Sequence, residues 1–120
     1  MEREFVTYEI ALALKELWFD EECFSFYEYN GELYKSEGYY TRRYNVNEHN
    51  EVIAPTYSQA FRFFREKYGY WCYIKEATKG TCRFYIEKYD EKFFNSDIID
   101  SYEEAELACL IKLIEIVKSK

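Results

Sequence analysis

The sequence predicts a single α+β domain over residues 1–120, with three helices and a four-stranded, mainly antiparallel sheet made of two hairpins, in the order α-β-β-α-β-β-α. Three observations carry this. A hydroxyl residue followed by Tyr, two further residues and Ala occurs three times, at Thr7-Tyr8-Glu9-Ile10-Ala11, Thr56-Tyr57-Ser58-Gln59-Ala60 and Ser101-Tyr102-Glu103-Glu104-Ala105. Each is followed by apolar residues at helical spacing, and the stretches between change to a period of two. With 120 residues, 48% hydrophobic, 32% charged and one proline, the chain has the size and apolar content of one folded domain.

The repeated stretches are helix starts. A Ser or Thr side chain accepts from the unpaired N–H groups of a first turn, and Glu or Gln three residues later completes the reciprocal bond. Thr56 with Gln59 and Ser101 with Glu104 meet that pattern, whereas Ile10 deprives Thr7 of its reciprocal acceptor. After Thr7, the residues Ile10, Leu14, Leu17 and Trp18 form one apolar stripe; after Thr56, the stripe is Tyr57, Ala60, Phe61, Phe64 and Tyr68, with Gly69 as a stop. After Ser101, Ala105, Ala108, Cys109, Leu110, Leu113, Ile114 and Val117 make a much wider surface, suited to a buried helix or a partner seam.

The first hairpin runs from Cys23 to Tyr29 and from Glu32 to Ser36 around Asn30-Gly31, a strong two-residue turn signal that puts Phe24, Phe26 and Leu33 on one face and Tyr27, Tyr29 and Tyr34 on the other. The second runs from Tyr70 to Ala77 and from Thr81 to Tyr89. Its three-residue loop, Thr78-Lys79-Gly80, pairs Cys72 and Ile74 with Ile86 and Phe84, leaving Trp71, Tyr73, Tyr85 and Glu87 on the opposite face. Two helix-hairpin units about 49 residues apart, closed by a third helix, read either as a divergent duplication or as reuse of a good capping sequence.

Composition narrows the function classes. A net charge of −7 argues against general affinity for nucleic-acid phosphates or anionic lipid. The charge is uneven: residues 1–60 hold 5 Lys/Arg against 12 Asp/Glu, while residues 61–120 hold 11 of each. No basic leader followed by an apolar run opens the chain, and no apolar stretch approaches the ~18 residues that span a bilayer, so a cytoplasmic protein without a membrane partner is expected. Cys23, Cys72, Cys82 and Cys109 sit among apolar neighbours at spacings that fit neither a zinc knuckle nor a redox motif, and read as reduced core thiols.

No catalytic constellation, metal set or cofactor motif is visible. His49 lies in a polar segment without a nucleophile or spaced ligands around it, and each of the four glycines has a place in a turn or helix end. Asp20, Glu21 and Glu22 read as a solvated turn, and Glu103 and Glu104 as complements to a helix dipole. Arg42 and Arg43, interleaved with rings in Tyr39-Tyr40-Thr41-Arg42-Arg43-Tyr44, are the candidate contacts for an anion or ligand; pairing with nearby carboxylates is the blander reading. The sharper candidate is the outward face of the hairpins. The chain is 22% aromatic, with 14 Tyr, 10 Phe and 2 Trp, and Tyr27, Tyr29, Tyr34, Trp71, Tyr73, Tyr85 and Tyr89 would share that face as an interaction surface, unless a helix covers it.

The runs "FVTYEIALALKELWFDEECF" from Phe5, "GYYTRRYN" from Gly38, "APTYSQAFRFFREKYG" from Ala54 and "SYEEAELACLIKLIEIVK" from Ser101 together resemble a set of short uncharacterised proteins encoded by gut Bacteroidales and by their phages or prophages. Such proteins often carry a Gly after the first helix, where this chain has Trp18. The resemblance implies a mobile-element setting and no catalytic residues. The expectation is therefore a non-enzymatic accessory protein that binds another protein or a second copy of itself. An acidic mimic of nucleic acid that inhibits a host protein, or a small-molecule-binding domain, are the alternatives.

Overall fold

The computed structural model describes residues 5–21, 23, 25–28, 31–35, 52–88 and 91–119. All three hydroxyl residues cap helices. Thr7 Oγ1 accepts from the Ile10 N–H at 3.2 Å and starts α1 (Tyr8–Glu16). Thr56 and Gln59 exchange both bonds of the reciprocal cap, each at 3.1 Å, at the head of α2 (Tyr57–Tyr68). Ser101 Oγ accepts from the Glu104 N–H at 3.2 Å and donates to its carboxylate at 3.3 Å, opening α3 (Tyr102–Lys118).

The strands are β1 (Ser25–Tyr27), β2 (Leu33–Lys35), β3 (Val52–Ala54), β4 (Tyr70–Glu76), β5 (Cys82–Lys88) and β6 (Glu91–Asn95). They form two antiparallel sheets of three strands, β2-β1-β3 and β4-β5-β6, in place of the single four-stranded sheet expected from the sequence. The α+β class holds; the strand count and element order do not, because β3 and β6 extend the two hairpins. Each sheet belongs to its own compact unit, Met1–Gln59 and Ala60–Lys120, and the division falls inside α2. The strand orders also separate the units: the first strand is central in one sheet and the second in the other. The two units thus share a capped helix and an antiparallel hairpin but differ in the place of the third strand.

In the first unit α1 packs on β3, and Val6, Ile10, Ala11, Leu14, Phe19, Cys23, Val52 and Ala54 are buried. The β1–β2 register differs from expectation by one residue. Tyr27 stands opposite Leu33 and Phe26 opposite Tyr34, because Glu28 N–H donates to Glu32 C=O at 3.0 Å and leaves three residues between them. Gly31, at φ +86°, accepts this longer loop, where a side chain would be strained. A slip of one residue exchanges faces, and Tyr27 accordingly turns inward. Its hydroxyl donates to the Val6 carbonyl at 2.6 Å, and Tyr8 meets its ring edge-on at 5.4 Å.

The end of α1 departs further from expectation. Leu17 is buried as the apolar stripe requires, whereas Trp18 is 72% exposed and has a φ of +66°. Its N–H donates to Lys15 C=O at 3.0 Å, and the Phe19 N–H reaches back to Leu14 C=O at 3.0 Å. These two bonds, with Leu14 and Phe19 both buried, are the Schellman closure of a helix. Trp18 therefore occupies the left-handed position that glycine ordinarily fills.

In the second unit α3 packs on β5 and β4. Ala105, Cys109, Leu110 and Leu113 on the helix, and Cys82, Phe84 and Ile86 on β5, are buried. Each fully buried Leu, Ile or Phe contributes about 1.5–3 kcal/mol relative to exposure. Ala60, Phe63 and Phe64 are the buried residues of α2, with Phe63 replacing the expected Phe61. The segment after β6 closes onto β5. Ser96 N–H donates to Phe84 C=O at 3.0 Å, Phe84 N–H donates to Ser96 Oγ at 2.9 Å, and Cys82 and Ile99 exchange backbone bonds at 2.9 and 2.8 Å.

Candidate functional site

The β4–β5 hairpin follows its expected register. Trp71 pairs with Glu87, Cys72 with Ile86, Tyr73 with Tyr85 and Ile74 with Phe84. The loop closes through Ala77 N–H to Thr81 C=O at 2.8 Å, and Gly80 takes φ +84°. Strand alternation then does the sorting: Phe84 and Ile86 go to the covered face, and Trp71, Tyr73, Tyr85 and Glu87 share the opposite one.

Trp71 is 57% exposed and Tyr73 47% exposed, while Tyr85 is half-buried. The Tyr73 and Tyr85 rings stack at 4.8 Å with 17° between planes. Tyr73 Oη donates to Glu87 Oε2 at 3.2 Å, and the Arg65 guanidinium lies 5.2 Å from the centre of the Trp71 ring. Desolvation first, then the bond to Glu87, its charge and the neighbouring Tyr85, push the Tyr73 phenol above its ordinary range. It is a hydrogen-bond donor throughout neutral conditions. Aromatic side chains bury 150–250 Å² each, so Trp71 and Tyr73 together present roughly 200 Å² of ring surface with polar tips. Tyr and Trp are residue types enriched where proteins recognise one another.

Of the other residues of the expected surface, Tyr27 and Tyr34 belong to strands of the first sheet. Tyr27, 9% exposed and bonded to Val6, belongs to the core of the first unit and not to an open face. Tyr34 stands opposite Phe26 in the other sheet. Tyr29, Tyr89, Arg42, Arg43 and His49 lie outside the described residues. The seven-ring surface thus reduces, among the described residues, to Trp71, Tyr73 and Tyr85 on one hairpin. Sequence reasoning missed Arg65, which comes from α2; a cation six positions before an exposed Trp, across a Gly stop, is the signal that marks it.

Three thiols, Cys23, Cys82 and Cys109, are buried, and Cys72 is partly exposed. Burial first, and then Glu21, raise the Cys23 thiol to about 12. The hydrogen bond with Cys72 first, then burial, hold Cys109 well above the ordinary thiol range. The two sulfurs meet between β4 and α3 as a reduced pair. Among the described residues no three His, Cys, Asp or Glu groups converge as metal ligands, and no helix is long and apolar enough to cross a membrane. Comparison with models of protein families, with curated proteins and with solved structures finds no match to this chain.

Proposed function

We propose that this chain is a non-enzymatic accessory protein that binds another protein through the outward face of the β4–β5 hairpin, in the phage or prophage setting implied by its sequence resemblance. The observation that carries the reading is the joint exposure of Trp71 and Tyr73 on one strand face, with Tyr73 fixed by its stack on Tyr85 and its bond to Glu87. Rings held in one rotamer lose little entropy when a partner covers them, and their polar tips lower the desolvation cost of an open surface. The half of the chain that carries this face has balanced charge, which suits a protein surface better than a polyanion.

The test is affinity capture from a Bacteroidales host lysate with wild type and with a Trp71→Ala/Tyr73→Ala variant, followed by calorimetric titration of the captured protein. Circular dichroism checks the fold of both. The expected result is a folded variant whose affinity for the captured partner falls at least tenfold, a loss of about 1.4 kcal/mol. A folded variant that binds as tightly as wild type, or one that unfolds because these rings are core, would overturn the proposal.

A further inference from the structure

β4 is an edge strand. Within its sheet it pairs only with β5, and among the described residues no strand covers its other side. Antiparallel pairing alternates residues that bond the neighbour with residues whose N–H and C=O point away. Ala77 bonds Thr81, so in the same register Trp71, Tyr73 and Lys75 exchange bonds with β5. Cys72 and Ile74 therefore turn their backbone groups to the open side.

The two edges of this sheet are treated differently. β6 is charged at its start, with Glu91 and Lys92, and its pairing shifts register between Ile86 and Glu87. Charges and bulges are the usual means of stopping an edge from recruiting another strand. β4 runs regularly from Tyr70 to Ile74 without a charge, a proline or a register shift, and carries Lys75 and Glu76 only at its end. The side chains agree. On β5 the inward residues Cys82, Phe84 and Ile86 are buried, but Cys72 and Ile74, on the same face one strand over, keep part of their surface exposed.

We propose that the β4 edge pairs antiparallel with β4 of a second copy of this chain, about a twofold axis at Tyr73. This rests on the reading of the hairpin as an interaction surface and gives the strand edge beside that face an occupant of its own. The choice of a second copy follows from self-complementarity. An axis at Tyr73 sets Cys72 against the second copy's Ile74, and both pairs made this way use the backbone groups that point outward. On the aromatic face, each Lys75 then lies against the other copy's Trp71, a cation on a ring, and the two Tyr73 side chains meet in a close, non-hydrogen-bonded pair. On the inner face, apolar Cys72 and Ile74 cover each other. The half of the chain that carries this edge brings no excess of either sign, with 11 positive and 11 negative side chains in residues 61–120.

The experiment is light scattering across a concentration series on the full chain, with two variants. Ile74→Pro removes an N–H that points to the open side, a position where an edge strand accepts proline. Tyr73→Cys places a thiol on the proposed axis, with Glu87→Cys on β5 as the off-axis control; oxidised glutathione takes the two electrons and two protons as each disulfide forms. The expected results are a wild-type mass that doubles with concentration, a folded Ile74→Pro chain that stays single, and a covalent dimer from Tyr73→Cys but not from Glu87→Cys. Should Ile74→Pro unfold, the cross-linking pair decides alone. A wild type that keeps the mass of one chain throughout, or equal cross-linking at both positions, overturns the edge pairing. If that single chain still captures an outside protein through Trp71 and Tyr73, the hairpin-face reading survives; if capture is lost as well, both fall.

Discussion

Replacing Trp18 tests how the first helix is closed. A non-glycine residue in the left-handed region loses about 1–2 kcal/mol, and Trp18 sits there at φ +66°. The indole returns little of this, because it is 72% exposed, and a denatured chain already covers a comparable part of its side chains. Glycine removes the strain but frees the unfolded backbone, an opposing effect of roughly 0.4–1 kcal/mol. Trp18→Gly is therefore expected to stabilise the chain by about 0.5–1 kcal/mol relative to Trp18→Ala, which deletes the same indole but keeps the strained backbone. Comparing these two variants cancels the lost ring. Urea denaturation followed by circular dichroism at 222 nm reads the difference; with a slope of ~1–3 kcal/mol per molar, the glycine midpoint should lie about 0.2–1 M above the alanine midpoint. A glycine variant at or below the alanine variant would refute the argument that Trp18 is held against its preference by the Leu14–Phe19 closure.

Other substitutions probe buried polar contacts. Tyr27→Phe deletes the hydroxyl that donates to Val6 C=O and should destabilise by about 1–2 kcal/mol, seen in thermal unfolding; an unchanged midpoint would place that hydroxyl in solvent. Ser96→Ala orphans the Phe84 N–H inside the second unit, with an expected loss of about 1–3 kcal/mol and faster hydrogen exchange at that amide. Burial first, and then Glu103, raise the Glu106 carboxyl above 4.5, so the folded chain holds this proton more tightly than the unfolded one. The charge therefore opposes folding fully above the raised value and not at all below the unfolded one, and stability from this group falls as pH rises between them. Glu106→Gln should stabilise at pH 7, within about 0.5 kcal/mol for so open a site, and have no effect at pH 3; equal effects at both would remove the charge from the explanation.

What could be read from the chain was what local contacts decide. Thr7, Thr56 and Ser101 cap through side chains three residues away, and Thr78-Lys79-Gly80 fixes a hairpin whose partners are near in sequence. Trp71, Tyr73 and Tyr85 became legible as a face once that register was set. β3 was hidden because Val52–Ala54 is a three-residue apolar run with no alternation, paired to a strand far upstream. β6 was hidden because its register shift breaks the period of two. Tyr27 was misplaced because Asn30-Gly31 signals a two-residue turn, whereas Glu28 and Glu32 close a longer one. Trp18 was assigned to the buried stripe because spacing alone cannot show that a helix ends by reversing the sign of φ.

The exposure of both tryptophans has an optical consequence. Trp18 belongs to the first unit and Trp71 to the second, and each indole already meets water in the folded chain. Emission should therefore be red-shifted before any denaturant is added, and unfolding should move its colour little. Intensity is the more informative channel, since the Arg65 cation lies over the Trp71 ring, and Tyr73 and Tyr85 stand on the same strand face. Spectral position alone would make the native protein look denatured, whereas a single-tryptophan variant turns each unit into its own fluorescent reporter.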